Sequence, residues 1–283
     1  MTPTARAAFW MIGSILSFSA MAIAGRNVSA ELDTFEIMLF RSMIGFLIVV
    51  SFAALTGQIH RLALHHPGLH FTRNLAHFTG QNLWLYAVAV APLAQVFALE
   101  FTTPIWAILL APIILREKIT QTGLISAALG FVGILIVARP DVTNLSPGLL
   151  PAALCAIAFG ITALTTRRLT RTEPIIRILF YLTVFQVGFG LITAGYDGTI
   201  IMPSLSATPW VVLIAVTGIT AHLCLTNALS LAPASIVTPI DFARLPLIAI
   251  VGMLLYQEAI DIWVFIGGLV IFGANYFNLS RNK

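Results

Sequence analysis

Charged residues are scarce in this sequence: they make up 9% of the 283 residues, against 59% hydrophobic residues. Soluble domains carry about a quarter charged residues, so an ordinary soluble enzyme or binding module is excluded. The mean hydropathy of +0.96 is spread along the whole chain, which indicates many membrane spans and not a single anchor. The sequence therefore predicts an integral membrane protein.

Cysteines and catalytic motifs are also scarce. The two cysteines, Cys155 and Cys224, both lie in apolar stretches, so a disulfide framework is not indicated. The chain has no Walker loop, HExxH, GxSxG or dinucleotide fingerprint. We therefore expect neither an enzyme nor a cofactor. The net charge of +4 comes mostly from short loops, so no nucleic-acid partner is expected.

Breaks at charged or Pro- and Gly-rich positions leave ten apolar segments of membrane-spanning length. They cover residues 7–25, 34–55, 72–90, 93–115, 121–138, 148–166, 175–195, 209–231, 234–256 and 261–280. Each segment is predicted to be a helix, because a span in lipid must satisfy its own backbone hydrogen bonds. The fold class predicted is an all-α integral membrane protein with ten transmembrane helices.

Basic residues are distributed unevenly between the two sides of the membrane. With a cytoplasmic N-terminus, only Arg26 and Arg139 lie outside, and Arg41 and Arg244 lie within spans. Lys and Arg concentrate in cytoplasmic loops, so both termini are predicted to be cytoplasmic, as an even number of spans requires. The eleven residues assigned to the cytoplasmic side are Arg6, Arg61, Arg73, Arg116, Lys118, Arg167, Arg168, Arg171, Arg177, Arg281 and Lys283.

The chain repeats itself at a constant offset. Ala91–Glu117 and Ala232–Glu258 align without a gap at an offset of 141. Both begin with Ala-Pro, run through an apolar stretch with an acid at the same depth, and end in Glu. The aligned pairs include Gln81 with His222, Glu100 with Asp241, Thr103 with Arg244, and Glu117 with Glu258.

The repeat extends upstream, where Met38–Phe46 aligns with Ile178–Gln186 at an offset of 140. Two five-helix units follow, residues 7–138 and 148–280. Because five is odd, the second unit must be inverted in the membrane. Inverted repeats place the substrate site of a transporter near the midplane, between the two units.

Ionisable residues within the spans are the first candidates for that site, because such a residue costs about 2.5–3.5 kcal/mol at the bilayer centre on insertion scales. Asp241 and Arg244 lie on one helix face. They either match the two charges of a zwitterionic substrate or neutralise each other. Glu100 has no basic residue within one turn, so it needs a partner on another helix, water or a proton. Pairing with Arg41 is one alternative, and a proton-coupling role is the other.

Polar and aromatic residues of the third and eighth spans form the next group. His77 and Gln81 share a helix face, with Trp84 near the same stripe, and His222 lies in the middle of its span. They are predicted to line a polar cavity, although a lone histidine is more often a packing residue. Aromatic side chains could stack on a substrate ring but more often only pack, and the candidates are Phe18, Trp84, Phe97, Phe101 and Trp106.

Four histidines, His60, His65, His66 and His70, are assigned to the loop before the third span. No Cys, Asp or Glu accompanies them, so an interfacial segment is favoured over a metal site. Small residues recur in spans five and ten and are expected to allow close helix packing. They are Gly123, Ala127, Ala128, Gly130, Gly133, Gly267, Gly268 and Gly273.

The same motifs occur in the same order in both copies of the repeat, and in this respect the sequence resembles the EamA-type family of drug/metabolite transporters. The Ala-Pro start, central Pro104, closing Leu115–Glu117 and following GILIVARP carry the likeness, and Arg41 lies where the family commonly has an arginine. The chain departs from the family where glycine often precedes the closing Glu, and its second-copy proline, Pro246, is displaced by one. The resemblance implies a bacterial inner-membrane carrier that works by alternating access.

Several functions follow from the resemblance as expectations. Export of amino acids or similar zwitterions suits the charges of Asp241, Arg244 and Glu100; the alternative is uptake of a vitamin, a nucleoside-like or another small metabolite. A membrane-embedded lipid transferase and a channel or scaffold are less favoured. We expect a monomer in the lipid bilayer, and proton coupling stays open. The predicted substrate-binding residues are His77, Gln81, Trp84, Glu100, Thr103, His222, Asp241 and Arg244, with Arg41 as a further coupling or structural charge.

Overall fold

The computed structural model describes residues 2–115, 121–138, 147–232, 237, 240–259 and 261–281. Helices dominate it, and no strand occurs among these residues. The helices are α1 (Pro3–Val28), α2 (Thr34–Leu55), α3 (Pro67–Val90), α4 (Leu93–Glu100), α5 (Thr103–Ile114), α6 (Gln121–Ala138), α7 (Leu149–Leu169), α8 (Ile175–Ala194), α9 (Thr208–Leu231), α10 (Arg244–Tyr256) and α11 (Ile262–Arg281). Short 3₁₀ turns cover Ile59–Leu62 and Asp241–Ala243.

The fourth and ninth spans are broken, whereas the sequence predicts continuous helices over 93–115 and 234–256. The first break separates α4, which ends at Glu100, from α5, which begins at Thr103. Pro104 has no backbone N–H to donate to the Glu100 carbonyl, which accepts from the Thr103 hydroxyl instead, so the helix is interrupted at this point. At the offset of 141, this break corresponds to the 3₁₀ turn before α10. Discontinuous helices of this kind form the substrate sites of many transporters.

The third span also differs from its prediction. It begins at Pro67 and not at residue 72, so His70 belongs to the helix and not to the preceding loop. His70 is fully buried, with its ring centroid 4.8 Å from that of Tyr181. Proline at the first helical position explains the earlier start, because its missing N–H would have no partner there.

Six spans in the described part of the chain are long and apolar enough to cross a membrane by composition alone: α1, α2, α4 together with α5, α7, α8 and α9. The third span, α3, is not among them because it carries a polar face. That face is buried inside the protein and consists of His70, Arg73, Asn74, His77, Gln81 and Asn82. Polar residues of a membrane helix that face the bundle and not the lipid mark a pathway or a site.

Helix packing follows the internal symmetry. The four most extensive contacts pair α1 with α9, α6 with α11, α3 with α7, and α2 with α8. Each pair joins the two halves of the chain. The repeat offset carries α1 onto α7 and α3 onto α9, so the α1–α9 contact is the symmetry equivalent of the α3–α7 contact. Two inverted five-helix repeats therefore form one bundle.

The partners in these pairs run antiparallel. Ala7, near the start of α1, packs in one cluster with Ala232, just after α9. In the second pair, a Cβ atom on Gly148 would lie 2.7 Å from Cβ of Ala91, and one on Gly80 would lie 2.9 Å from Cβ of Ala158. The start of α7 thus lies beside the end of α3. This arrangement gathers the loops into two faces.

Small residues allow the α6–α11 contact, as the sequence predicts. A Cβ atom on Gly133 would lie 2.6 Å from Cγ1 of Ile271 and 2.9 Å from the carbonyl oxygen of Gly267. No side chain larger than hydrogen fits there without moving backbone. Gly273 differs, because a Cβ atom added to it would have no neighbour within 4 Å. Close packing is therefore confirmed at Gly133 but not at every glycine of the set.

Candidate functional site

A cavity of about 100 Å³ lies between the two repeats. It is bounded by α1, α3, α7 and α9 and by both broken spans. All eight predicted substrate-binding residues line it: His77, Gln81, Trp84, Glu100, Thr103, His222, Asp241 and Arg244. That these residues bind a substrate stays a prediction, but the fold brings them together.

Glu100, Asp241 and Arg244 form one ion-pair network at the breaks of the two spans. Arg244 Nη2 donates a hydrogen bond to Glu100 Oε1 at 2.7 Å and another to Asp241 Oδ2. Trp84 Nε1 donates to Glu100 Oε2 at 2.7 Å. The network joins the first repeat to the second, and its two carboxylates exceed its one guanidinium by one formal negative charge.

Aromatic rings enclose the guanidinium of Arg244. Its Cζ lies 4.7 Å from the ring centroid of Phe97, 5.1 Å from that of Phe18 and 5.5 Å from that of Phe101. These contacts are of the cation–π type. Arg244 is 1% exposed, and its Nη2 is shared by two carboxylates, whereas its Nε is buried without a hydrogen-bond partner in the described residues. A substrate carboxylate therefore has to compete with Glu100 and Asp241 for Nη2.

This geometry identifies the ion-pair partner of Glu100, while its role in proton coupling stays a prediction. Glu100 takes Arg244 as its partner and not Arg41. Arg41 lies instead against a small separate pocket formed mainly by α2, α8 and α9, where its Nη1 donates to Met38 Sδ at 3.6 Å. Arg41 therefore does not join the central network.

The middle of the cavity holds buried polar atoms without a hydrogen-bond partner in the described part of the chain. Both ring nitrogens of His77 belong to this set, as do Nε2 of His222, Nε2 of Gln81 and Oγ of Ser14. The His77 and His222 rings meet edge to face, with centroids 4.5 Å apart. Burying such groups unpaired costs about 1–3 kcal/mol each. They suit a ligand that brings donors and acceptors of its own.

The other aromatic and hydroxyl candidates have mixed roles. Phe18 and Phe101 line the cavity, whereas Phe97 packs behind Trp84, its centroid 5.8 Å from that of the indole. Trp106 donates to Thr102 Oγ1 at 3.2 Å and is not a lining residue. Thr103 lines the cavity, but its hydroxyl donates to the Glu100 carbonyl at 2.6 Å.

Arg73 is the principal cavity residue that the sequence alone does not single out. Its position at the start of a span makes it a cytoplasmic charge by sequence, yet it is 1% exposed and lines the cavity. Its Nε donates to Thr166 Oγ1 at 3.2 Å and its Nη1 to Asn74 Oδ1 at 2.7 Å. The spacing of Arg73, His77, Gln81 and Trp84 at helical intervals is the signal that would have placed it on the same stripe.

The cavity extends toward one face of the protein. Lining residues such as Thr166 and Leu229 lie near the ends of α7 and α9, on the face that also holds the loop before α3. Trp84 and Glu100 lie at the opposite, inner end. In the orientation predicted from the basic residues, the cavity reaches toward the cytoplasm.

A closing cluster, defined as Arg26, Glu258 and Tyr256, lies on the other face beyond the inner end. Arg26 Nε donates to the Val88 carbonyl at 2.7 Å, and its two other nitrogens bind Glu258 Oε1 and the Ala91 carbonyl. Glu258 Oε2 accepts from the Leu93 backbone N–H at 2.9 Å. The Arg26 guanidinium lies over the Tyr256 ring, 4.8 Å from its centroid. The cluster ties α1, the corner between α3 and α4, and the end of α10.

The closing cluster has a partial counterpart on the opposite face. At the repeat offset, Arg26 corresponds to Arg167 and Val88 to Leu229. Arg167 Nη1 donates to the Leu229 carbonyl at 2.5 Å, the equivalent of the bond from Arg26 to Val88. Glu117, the sequence equivalent of Glu258, lies outside the described residues.

The histidine loop contributes His66 to a second ion-pair cluster. His66 Nδ1 lies 2.9 Å from Glu173 Oε1, and Arg177 Nη1 donates to Glu173 Oε2 at 2.5 Å. Burial by itself raises the pKa of Glu173, but the bonds from His66 and Arg177 outweigh it and leave that pKa below its ordinary value. No group of three or more His, Cys, Asp and Glu residues suited to a metal occurs in the described ranges.

Two inverted repeats, two broken spans and a polar cavity between them define a multi-pass secondary transporter fold. The family follows from the sequence comparison: residues 5–139 and 146–280 each match the model of the EamA-like transporter family. The chain belongs to that family, within the drug/metabolite transporter superfamily. It is a small-metabolite transporter.

Relatives with named substrates cover most of the chain. An S-adenosylmethionine uptake transporter of Rickettsia bellii is 25% identical over 275 residues, which cover 97% of this chain and 93% of the relative. A riboflavin transporter of Brucella anthropi is 31% identical over 229 residues, covering 78% and 80%. A riboflavin transporter of Rhizobium johnstonii is 27% identical over 282 residues, covering 98% and 91%.

A solved crystal structure shows the same fold. It superposes with a TM-score of 0.69 at 18% sequence identity and covers 98% of both chains.

Proposed function

We propose that this protein takes up a small metabolite with a heteroaromatic ring, of the vitamin or nucleoside-like class, across the bacterial inner membrane by alternating access. The observation that carries the proposal is the set of unpartnered polar atoms on His77, His222 and Gln81, which lie together inside the cavity. The ring edges of a purine or a flavin carry donors and acceptors that suit such a set. Phe18 and Phe159 supply aromatic walls beside them.

Uptake has more support than the amino-acid export expected from the sequence. The S-adenosylmethionine relative is named an uptake transporter, and the riboflavin relatives carry a vitamin. The expected export site also relied on Arg244 as a carboxylate receptor, and that guanidinium is enclosed by rings and bound to Glu100 and Asp241. A ring-bearing metabolite uses the polar middle of the cavity instead.

Transport by alternating access is supported by the closing cluster. With Arg26 and Glu258 joined, the inner end of the cavity is shut on one face while the cavity extends toward the other. Breaking this cluster and closing the opposite face would move the opening across the membrane. The repeat symmetry provides related contacts on both faces, as the bond from Arg167 to Leu229 illustrates.

The direct experiment is uptake by purified protein in proteoliposomes. Labelled riboflavin, S-adenosylmethionine, adenosine and leucine are offered in turn, with and without a pH gradient. We expect entry of at least one ring-bearing compound, inhibited by unlabelled ring-bearing compounds and not by leucine. Leucine exchange without any ring-bearing substrate would overturn the proposal in favour of amino-acid transport.

The middle of the cavity can be tested in the same assay. Gln81→Leu keeps similar size but removes the amide, and we expect the apparent affinity for the ring-bearing substrate to fall about tenfold, as for the loss of one or two hydrogen bonds. Asn227→Leu is the matched control, because Asn227 is half-buried on α9 outside the cavity lining, and its amide nitrogen donates to its own helix at 2.8 Å. Equal affinities in the two variants would place ring recognition elsewhere.

A further inference from the structure

The charges that line the cavity are separated into two ends. Four charged side chains line it in the described part of the chain: Arg73, Glu100, Asp241 and Arg244. Three of them form the network at the inner end, which carries a surplus of one formal negative charge. Arg73 is alone at the other end. The cavity is therefore balanced overall but polarised along its length.

Arg73 has no ionised partner among the described residues. Its hydrogen bonds go to a threonine hydroxyl and an asparagine amide oxygen, both neutral. The acid of the neighbouring cluster, Glu173, is already bound by Arg177 and His66. A guanidinium that is buried without a counter-ion costs several kcal/mol, and this cost is relieved when an anionic group enters the cavity. A guanidinium also matches the geometry of a carboxylate or phosphate.

The inner end of the cavity has a carboxylate oxygen without a partner. Asp241 Oδ1 is buried and has no hydrogen-bond partner in the described residues. Its other oxygen and Glu100 Oε1 share the single nitrogen Nη2 of Arg244. One guanidinium thus serves two carboxylates, and the free oxygen of Asp241 is suited to a cationic group.

We propose that the transported metabolite is a dipolar ion, with an anionic group bound by Arg73 and a cationic group bound at Asp241. This proposal rests on the proposed function, since it concerns the same cavity, and it narrows the substrate class. Arg73 becomes a substrate-binding residue. A neutral ring compound such as riboflavin satisfies the polar middle of the cavity but leaves both charged ends unmatched.

The length of the cavity adds a second condition. Arg73 and Trp84, whose indole marks the inner end, are eleven residues apart on α3, which is about 16 Å of helix at 1.5 Å per residue. A simple α-amino acid, whose ammonium and carboxylate share one carbon atom, fills only part of this length. The dipolar substrate is therefore larger than an amino acid and carries a ring beside its charges.

The test uses three probes that differ by one charged group. All three carry an ammonium group, which therefore does not distinguish them. S-adenosylmethionine has in addition a carboxylate and a sulfonium cation, its decarboxylated form lacks the carboxylate, and S-adenosylhomocysteine lacks the methyl group that makes the sulfur cationic. Each unlabelled probe competes against labelled S-adenosylmethionine in proteoliposomes. For the wild-type protein we expect at least a tenfold preference for S-adenosylmethionine over its decarboxylated form, the size of one charge-assisted hydrogen bond.

Arg73→Gln is expected to bring that preference to within about threefold, because the glutamine no longer carries the charge that the carboxylate matches. Arg73→Lys keeps the positive charge but lacks the paired N–H donors of a guanidinium, and it is expected to restore part of the preference for S-adenosylmethionine. Arg41→Gln is the matched control, since Arg41 is a buried arginine outside the cavity. A preference retained in a folded Arg73→Gln protein, or absent from the wild type, overturns the assignment of Arg73.

The cationic end is tested with S-adenosylhomocysteine. We expect Asp241→Asn to remove most of the preference for S-adenosylmethionine over this analogue, and Asp197→Asn, in an exposed loop, to leave it unchanged. If the wild type carries both equally and uptake follows a pH gradient, a proton neutralises the inner end and the cationic arm is wrong. Transport of riboflavin without any competition by S-adenosylmethionine overturns the dipolar substrate but leaves the proposed function intact. If no ring-bearing probe is carried, both fail.

Discussion

At the residue scale, the cavity is organised by a few buried charges that the protein satisfies unequally. Arg244 contacts two carboxylates and three aromatic rings, whereas Arg41 has only Met38 Sδ as its hydrogen-bond acceptor among the described residues. Both arginines are buried. The same substitution should therefore change the free energy of unfolding by different amounts at these two positions. The comparison distinguishes an ion pair that joins the repeats from a buried charge that does not.

Arg244→Gln is expected to destabilise the protein by about 3–5 kcal/mol, because it leaves the carboxylates of Glu100 and Asp241 buried without their cation. Arg41→Gln is expected to cost less than about 1 kcal/mol or to stabilise the protein, because it removes a charge that has no ionised partner among the described residues. Unfolding in detergent, followed by tryptophan fluorescence over a denaturant series, measures both. Equal losses would show that the network at the span breaks adds nothing specific.

The ion-pair cluster of His66, Glu173 and Arg177 allows a prediction of how one residue's contribution to stability changes with pH. The pKa of Glu173 is lower in the folded protein than its ordinary value because His66 and Arg177 bind its carboxylate. A carboxyl group with a lowered folded-state pKa adds stability above its unfolded-state pKa and loses that contribution as the pH falls through the folded-state pKa. Glu173→Gln should therefore reduce the unfolding free energy at neutral pH.

The loss caused by Glu173→Gln should shrink as the pH is lowered below the ordinary range of a carboxyl group. Melting temperatures of wild type and variant, measured from neutral to acid pH, follow this convergence. Asp197→Asn serves as the control because Asp197 bonds only within its own turn. A difference between wild type and Glu173→Gln that is constant with pH would mean that shape, and not charge, explains the effect.

At the scale of elements, the break in each central span matters most. Glu100 ends α4 and Arg244 begins α10, so the two breaks lie side by side and their charged residues meet at 2.7 Å. The break after Glu100 is explained by Pro104. The equivalent break in the second repeat is the 3₁₀ turn Asp241–Ala243. The helices that meet around these breaks, α1, α3, α7 and α9, supply the other polar side chains of the cavity, apart from Thr103 of α5.

The closing cluster is the element-scale contact that is expected to set which face is shut. Glu258→Gln keeps the size of the side chain but removes the charge that pairs with Arg26. We expect the inner end of the cavity to become several-fold more accessible from that face. Labelling of Met21→Cys by a membrane-impermeant thiol reagent, in a protein whose two buried cysteines are replaced by alanine, measures this.

The control for Glu258→Gln is Glu31→Gln, since Glu31 is an exposed acid on the same face that binds the Ser204 hydroxyl at 2.7 Å. Labelling of Met21→Cys should not change with Glu31→Gln. If Glu258→Gln leaves labelling and transport rate at wild-type values, the closing cluster is only a structural tie and another contact shuts this face.

At the scale of the whole molecule, inverted symmetry accounts for the architecture. The equivalence of the α1–α9 and α3–α7 contacts means that the same helix packing occurs twice, in opposite orientations across the membrane. The same symmetry gives related arginine-to-carbonyl bonds on both faces, from Arg26 to Val88 and from Arg167 to Leu229. Such a molecule can rock between two related states without rebuilding its core.

Orientation in the membrane is the whole-molecule prediction. The excess of Lys and Arg on one side predicts that both termini are cytoplasmic. Fusions of a reporter that fluoresces only in the cytoplasm, placed at either terminus, should be bright, and fusions of a phosphatase active only in the periplasm should be inactive there. A phosphatase fused in the Gly195–Ala207 loop should be active. The reverse pattern at any of these points would invert the predicted topology.

The number of spans, the internal repeat and the identity of most of the polar cavity residues could be predicted from the sequence. Hydropathy predicts helices because lipid offers the backbone no other hydrogen-bond partner. A repeat unit with an odd number of spans requires the second copy to be inverted in the membrane. Glu100, Asp241, Arg244, His77 and His222 stand out because ionisable or polar groups are costly in lipid. Only the tertiary structure decided the pairing of Glu100 with Arg244 in place of Arg41; for Arg73 the helical spacing was a signal, but the structure was needed to show that the cavity reaches that far along α3. Partner choice depends on distances between helices far apart in the chain, and no local pattern encodes those distances.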